Sequence, residues 1–99
     1  MIFYSYFLFH QMLSGVIYFI QPAEFINTNV YKIGMSIKQH FNRVYTGYRK
    51  GTKWFSINEI DNPRDVEKHI KKSFNDKFTL FKGNEYFSGD IQDMYITDI

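Results

Sequence analysis

The sequence predicts an α+β domain built on a small three-stranded antiparallel central sheet flanked by helices. Three observations carry this. Residues 16–20 (VIYFI) and 29–34 (NVYKIG) are short runs rich in β-branched and aromatic side chains, and the brief loop between them favours an antiparallel hairpin. After Gly34 the apolar spacing lengthens from that of a strand to that of a helix. A third alternating run and a second helical stripe then follow in the same order.

Each element has its own local reason. The first strand stops at Gln21-Pro22, since proline cannot continue the ladder. The second follows a loop holding Pro22, Asn27 and Asn29, residues that favour turns. Ser36 followed three residues later by Gln39 has the pattern of a capping box, and Ile37, Phe41, Val44, Tyr45 and Tyr48 then share one helical face. A helix is therefore expected from Ser36 to near Gly47, with Arg43 off its apolar sector. Residues 52–60 (TKWFSINEI) alternate as a third strand, with Phe55 and Ile57 expected on one face and Trp54 and Ser56 on the other. Asp61-Asn62-Pro63 signals a second helix, along which Val66, Ile70 and Phe74 are spaced as a buried stripe. Glu67 and Lys71 stand four apart on it, in the favourable order for an ion pair. Residues 78–82 and 85–87 flank a Gly83-Asn84 turn, and a short terminal helix is expected from Asp90.

Ninety-nine residues make one domain, with 44% apolar and 20% aromatic residues to fill its core. The absence of cysteine excludes a disulfide framework, a thiol nucleophile and every cysteine-based zinc site. The net charge of +2 conceals a strong asymmetry. Lys32, Lys38, Arg43, Arg49, Lys50 and Lys53 fall in 25–58 with no acidic residue, whereas Glu85, Asp90, Asp93 and Asp98 follow Gly83 with no basic one. A cationic centre of this kind attracts a phosphate backbone, and a solvated basic loop gives the same count. Residues 1–14 are read as a hydrophobic N-terminal extension to a domain at 15–99. Ser5, His10, Gln11 and Ser14 interrupt its apolar run, and no basic leader or small-residue cleavage pattern accompanies it. Neither a membrane span nor a signal peptide is expected, and a soluble, intracellular protein is.

The segments Gly15-Val16-Ile17-Tyr18 and Tyr31-Lys32-Ile33-Gly34-Met35-Ser36 carry a resemblance. So do Arg43 on the next helix, Val66-Glu67 on the one after it, and Gly83-Asn84-Glu85-Tyr86-Phe87 near the end. In that order they resemble the GIY-YIG nuclease superfamily, in particular its small phage- and virus-type DNA-binding branch. Two departures stand out: Lys32 occupies the place of the second motif's tyrosine, and Lys71 a place where related domains often have histidine.

The resemblance implies a GIY-YIG-like fold and a metal-dependent endonuclease that hydrolyses DNA phosphodiesters with Mg²⁺ or Mn²⁺. By the same likeness Tyr18 would activate or orient water, Arg43 would clamp the phosphate, Glu67 would hold the metal, and Lys32 would supply a further cation at the reacting group. Lys32, Lys38, His40, Arg43, Arg49, Lys50 and Lys53 would together contact DNA. A viral source, acting inside the host cell, would suit the branch. The chemistry is sound, because oxygen-ligated Mg²⁺ needs only one or two carboxylates, and a guanidinium fork matches two phosphate oxygens. The alternative reading is a non-catalytic DNA-binding module on the same fold. Read singly, Tyr18 is a core tyrosine, Arg43 and Glu67 are solvated helix charges, Tyr45 and Tyr48 have core spacing, and Trp54 and Glu85 have structural roles.

Overall fold

A computed structural model describes residues 14–98, so the extension expected over 1–14 lies outside the described residues apart from Ser14. The chain runs β1 (Gly15–Gln21), β2 (Val30–Ile37), α1 (Phe41–Gly47), β3 (Lys53–Ile60), α2 (Pro63–Lys77), β4 (Thr79–Lys82), β5 (Tyr86–Ser88) and α3 (Ile91–Asp98). All strand neighbours are antiparallel, in the order β3-β1-β2-β5-β4. The fold is α+β as expected, but the sheet has five strands and not three. After α2 the chain returns as a hairpin whose second strand pairs Val30 with Ser88, Tyr31 with Phe87 and Lys32 with Tyr86. This satisfies backbone groups that β2 would otherwise leave bare along its outer edge. Gly83, with φ of 55°, makes the hairpin turn in the left-handed region that other residues rarely enter.

Two local expectations are corrected. The helix expected at Ser36 starts later, because β2 continues to Ile37, with Val16 opposite Ser36 and Gly15 opposite Ile37. Ser36 is buried and its hydroxyl donates to the Ile37 carbonyl at 2.9 Å. A single 3₁₀ turn, Lys38–His40, then leads into α1. Several ladder hydrogen bonds in the sheet outweigh one cap worth about 1 kcal/mol. The alternation in β3 also breaks, because its register against β1 shifts between Phe19 and Ile20. The bulge turns Phe55 toward Phe19 and Tyr31, at ring separations of 5.6 and 5.9 Å, while Ile57 pairs with Tyr18 on the opposite face.

Strand β1 is buried along its whole length and sends alternate side chains to two different layers. Ile17 and Phe19 join Ile33, Tyr31, Phe87, Phe74 of α2 and Met94 of α3 in the main core. Val66, Ile70 and Phe78 pack against it, as the helical stripe predicts. Tyr18, on the other face, meets Phe41 and Tyr48 of the α1 segment and Trp54 of β3. At the end of the domain the Asp90 carboxylate accepts from the backbone of Gln92 and Asp93 and so caps α3. Among the described residues no helix is long and apolar enough to cross a membrane.

Candidate active site

Tyr18 sits in the middle of the central strand, directly opposite Gly34 of β2. Its ring lies across that glycine, and a Cβ at position 34 would overlap the ring and its hydroxyl. Gly34 is therefore required by the packing of a neighbouring tyrosine and not by its own backbone angles. The Tyr18 hydroxyl is 3.1 Å from the hydroxyl of Tyr48, which follows α1. The Lys32 ammonium donates to the Tyr48 oxygen and lies over the rings of Tyr48 and Tyr86, 4.9 and 5.3 Å from their centroids. An ammonium has only donors, so the Tyr48 oxygen accepts from it, while the proton between the two phenols can run either way.

The network continues through charges. Lys32 pairs with Glu85 at 3.6 Å, Glu85 with Lys71 at 3.6 Å, and Lys71 with Glu67 at 3.3 Å. Glu85 can join side chains from β2 and α2 because it stands just before β5, where the Ile33 amide donates to its carbonyl at 3.0 Å and the ladder ends. The side chains of Lys32 and Lys71 are 14% exposed and that of Glu67 15%, so pairing is what makes these charges tolerable. Two ammoniums and two carboxylates cancel. The result is an unbroken path of polar contacts from the Tyr18 phenol to the Glu67 carboxylate.

Burial, reinforced by the hydrogen bond to Tyr48, pushes the Tyr18 phenol well above its ordinary value. Burial likewise raises Tyr48. Both phenols are thus neutral at physiological pH, and since one hydroxyl proton lies between them the other is left for whatever binds beside them.

Of the residues singled out from sequence, Tyr18, Lys32 and Glu67 belong to this network. Arg43 is exposed on α1, about 160° around the helix from both Phe41 and Tyr45, which face the sheet. Lys38, His40, Arg49, Lys50 and Lys53 are also exposed, along the segment leading through α1 into the edge strand β3. Three network members were not singled out from sequence as site residues. Tyr48 has the spacing of a core residue, Lys71 that of a surface ion pair, and Glu85 sits beside a turn. The signal available for Glu85 was its place in the Gly83–Phe87 segment that carried the resemblance.

A divalent cation needs hard oxygen donors and retains most of its waters. Among the described residues no cluster of three or more acidic or histidine side chains gathers at one point. Glu67 and Glu85 flank the Lys71 ammonium, so two carboxylates already converge on a cationic position. That donor set suits Mg²⁺ or Mn²⁺ if Lys71 gives way.

No curated protein and no solved structure matched the chain. A family model did: the T5orf172 domain, a phage-type, nuclease-associated domain often linked to DNA binding, matches residues 15–96. The match spans every strand and reaches into α3, taking in all six residues of the network. On that ground the chain belongs to the T5orf172 domain family.

Proposed function

We propose that this domain is a DNA endonuclease of the GIY-YIG type, hydrolysing phosphodiesters with a divalent metal ion. The observation that carries the proposal is the continuous path Tyr18–Tyr48–Lys32–Glu85–Lys71–Glu67, which links a phenol on β1 to a carboxylate on α2. Glu67 would hold Mg²⁺ or Mn²⁺, with Glu85 as the second carboxylate in reach. The ion, when bound, neutralises charge developing on the phosphate. Lys32 draws a non-bridging phosphate oxygen toward the Tyr18 hydroxyl. Tyr18 orients the attacking water by hydrogen bonding; as the water oxygen joins phosphorus the bond to the sugar oxygen breaks, and the proton that the water gives up to solvent is matched by the one the departing oxygen takes up. The raised pKa of Tyr18 favours this neutral, hydrogen-bonding role over a standing phenolate. Arg43, with Lys38, His40, Arg49, Lys50 and Lys53, grips the flanking backbone from the exposed side of α1 and the segments before and after it. The fitting setting is a cell interior, that of the host where the gene is viral.

One observation favours a second reading, a DNA-binding module without catalysis: Lys71 already holds the cationic position between Glu67 and Glu85. Plasmid nicking with Mg²⁺ or Mn²⁺ separates the two. The nuclease reading expects metal-dependent nicking that drops about a hundredfold or more in Glu67→Ala while DNA affinity in chelator is kept. Salt-sensitive binding with no nicking at high protein leaves the binding module.

A further inference from the structure

We propose that the groove between α1 and β3 binds one unpaired nucleobase of a DNA strand, stacked on Tyr45. The proposal rests on the DNA reading above and adds which part of the strand the domain holds. The groove is an open depression of about 440 Å³. Val16 and Ile57 form its apolar floor, Phe41 and Tyr45 its aromatic wall, and Asn42, Lys38 and Glu59 its polar rim.

Tyr45 is 47% exposed and Ile57 46%, so two large apolar side chains face water at one place. Tyr45 is nevertheless held firmly. Its ring lies 4.7 Å from that of Trp54 at an angle of 36°, and Trp54 is itself wedged against Tyr18, Phe41 and Tyr48. A supported ring with almost half its surface in water is a stacking platform whose ordering cost was met on folding.

The surroundings select the occupant. No acidic residue occurs between Phe25 and Asn58, and of the exposed cations on that stretch Lys38 lines the groove, while Arg43 stands on the far side of α1 and Lys53 at the other end of β3. Lys38 pairs with Glu59 at 3.4 Å, but both are exposed, so the pair is weak and Lys38 is free to turn to a phosphate. The Asn42 amide offers a donor and an acceptor to a base edge. Bases inside a duplex have both faces covered by their neighbours, so only an unstacked base can use the wall. Phe41 serves both sites, since it lines the groove and its ring is 6.0 Å from that of Tyr18. Val16 and Tyr18 are two residues apart on β1, about 7 Å along the strand. A base in the groove thereby brings an adjoining phosphate toward Tyr18 and Lys32.

Trp54, the single tryptophan of the chain, reports occupancy directly. The full chain is titrated in chelator and low salt with oligo-dT and with a duplex hairpin, following tryptophan emission. Oligo-dT is expected to quench Trp54. Tyr45→Ala should weaken it about tenfold while changing duplex affinity by less than about twofold, and Tyr45→Phe should restore it. Ile57→Glu, a second change at an exposed position, should weaken oligo-dT in the same selective way. Arg49→Ala should weaken both substrates and lower the salt slope by about one. Equal loss for both substrates in Tyr45→Ala, or no loss, overturns the groove proposal and leaves the DNA reading standing. Absence of binding to either substrate overturns both. Emission that changes with protein concentration alone, with a dimer on sedimentation, assigns the groove to a second copy of the chain and overturns it as well.

Discussion

Tyr18 and Phe19 are neighbours in β1 and point to opposite sides of one sheet. Phe19 enters a layer made of Ile17, Ile33, Phe74, Phe87 and Met94, where no member carries a charge. Tyr18 enters a layer of five rings, Tyr18, Phe41, Tyr45, Tyr48 and Trp54, that meets an ammonium at Tyr48 and opens onto water at Tyr45. On the first side aromatic residues act through the area they remove from water. On the second they act through polar tips and π faces, which fix where a cation and two hydroxyls must stand. A small domain can thus keep its stability and its chemistry on separate faces, with one strand common to both.

The comparison predicts a ranking of effects. Phe74→Ala, at the centre of the closed side, should cost about 3–5 kcal/mol in urea unfolding, a large share of the stability such a domain has. A loss below about 1 kcal/mol would mean that this layer is not what holds the fold together. Gly34→Ala should cost about 1–3 kcal/mol through overpacking against Tyr18, and Tyr18→Ala should remove most of that penalty in a double-mutant cycle. Additive penalties would show that the ring and the glycine are independent. Lys32→Met keeps the stem and deletes the charge, and should cost about 1 kcal/mol while reducing the salt slope of DNA binding by about one. An unchanged slope would place Lys32 outside the DNA contacts.

The smallest effect concerns alkaline pH. Burial raises the phenols of Tyr18, Tyr48 and Tyr31 above the unfolded value of about 10. The folded state therefore holds these protons more tightly than the unfolded chain. The stability they contribute is complete below about pH 10 and is lost as pH rises through their folded pKa values. Tyrosinate absorbance should show a late-ionising fraction that shrinks in Tyr18→Phe. Ionisation of every tyrosine near pH 10 with the fold intact would contradict the buried, neutral phenols.

Much of this architecture is legible in the sequence because periodicity reports burial. The strand runs at β1 and β2, the stripe of Val66, Ile70 and Phe74, the Gly83 turn and the short helix after Asp90 all emerge from residue type and spacing. What failed depends on partners distant in sequence. The Ser36–Gln39 pattern is a local helix signal defeated by pairing with Gly15 and Val16, and the bulge at Phe55 exists only relative to β1. The fourth and fifth strands are four and three residues long, too short to mark themselves as extensions of the central sheet. In the site, Glu67 and Lys71 were a visible pair, whereas the bridge through Glu85 to Lys32 joins three elements that no spacing rule relates. Tyr48 carries the same ambiguity, since a tyrosine at core spacing shows its ring to the eye and hides its hydroxyl.

The missing side chain at Gly34 has a historical consequence. Since the phenol opposite fills what a side chain would occupy, the two positions are epistatic, and the order of substitution matters. A descendant that first lost the ring could later acquire alanine or serine at 34 without injury. One that changed position 34 first would take the overpacking penalty against the intact ring, whereas losing the ring first costs its buried contacts and leaves the second change cheap.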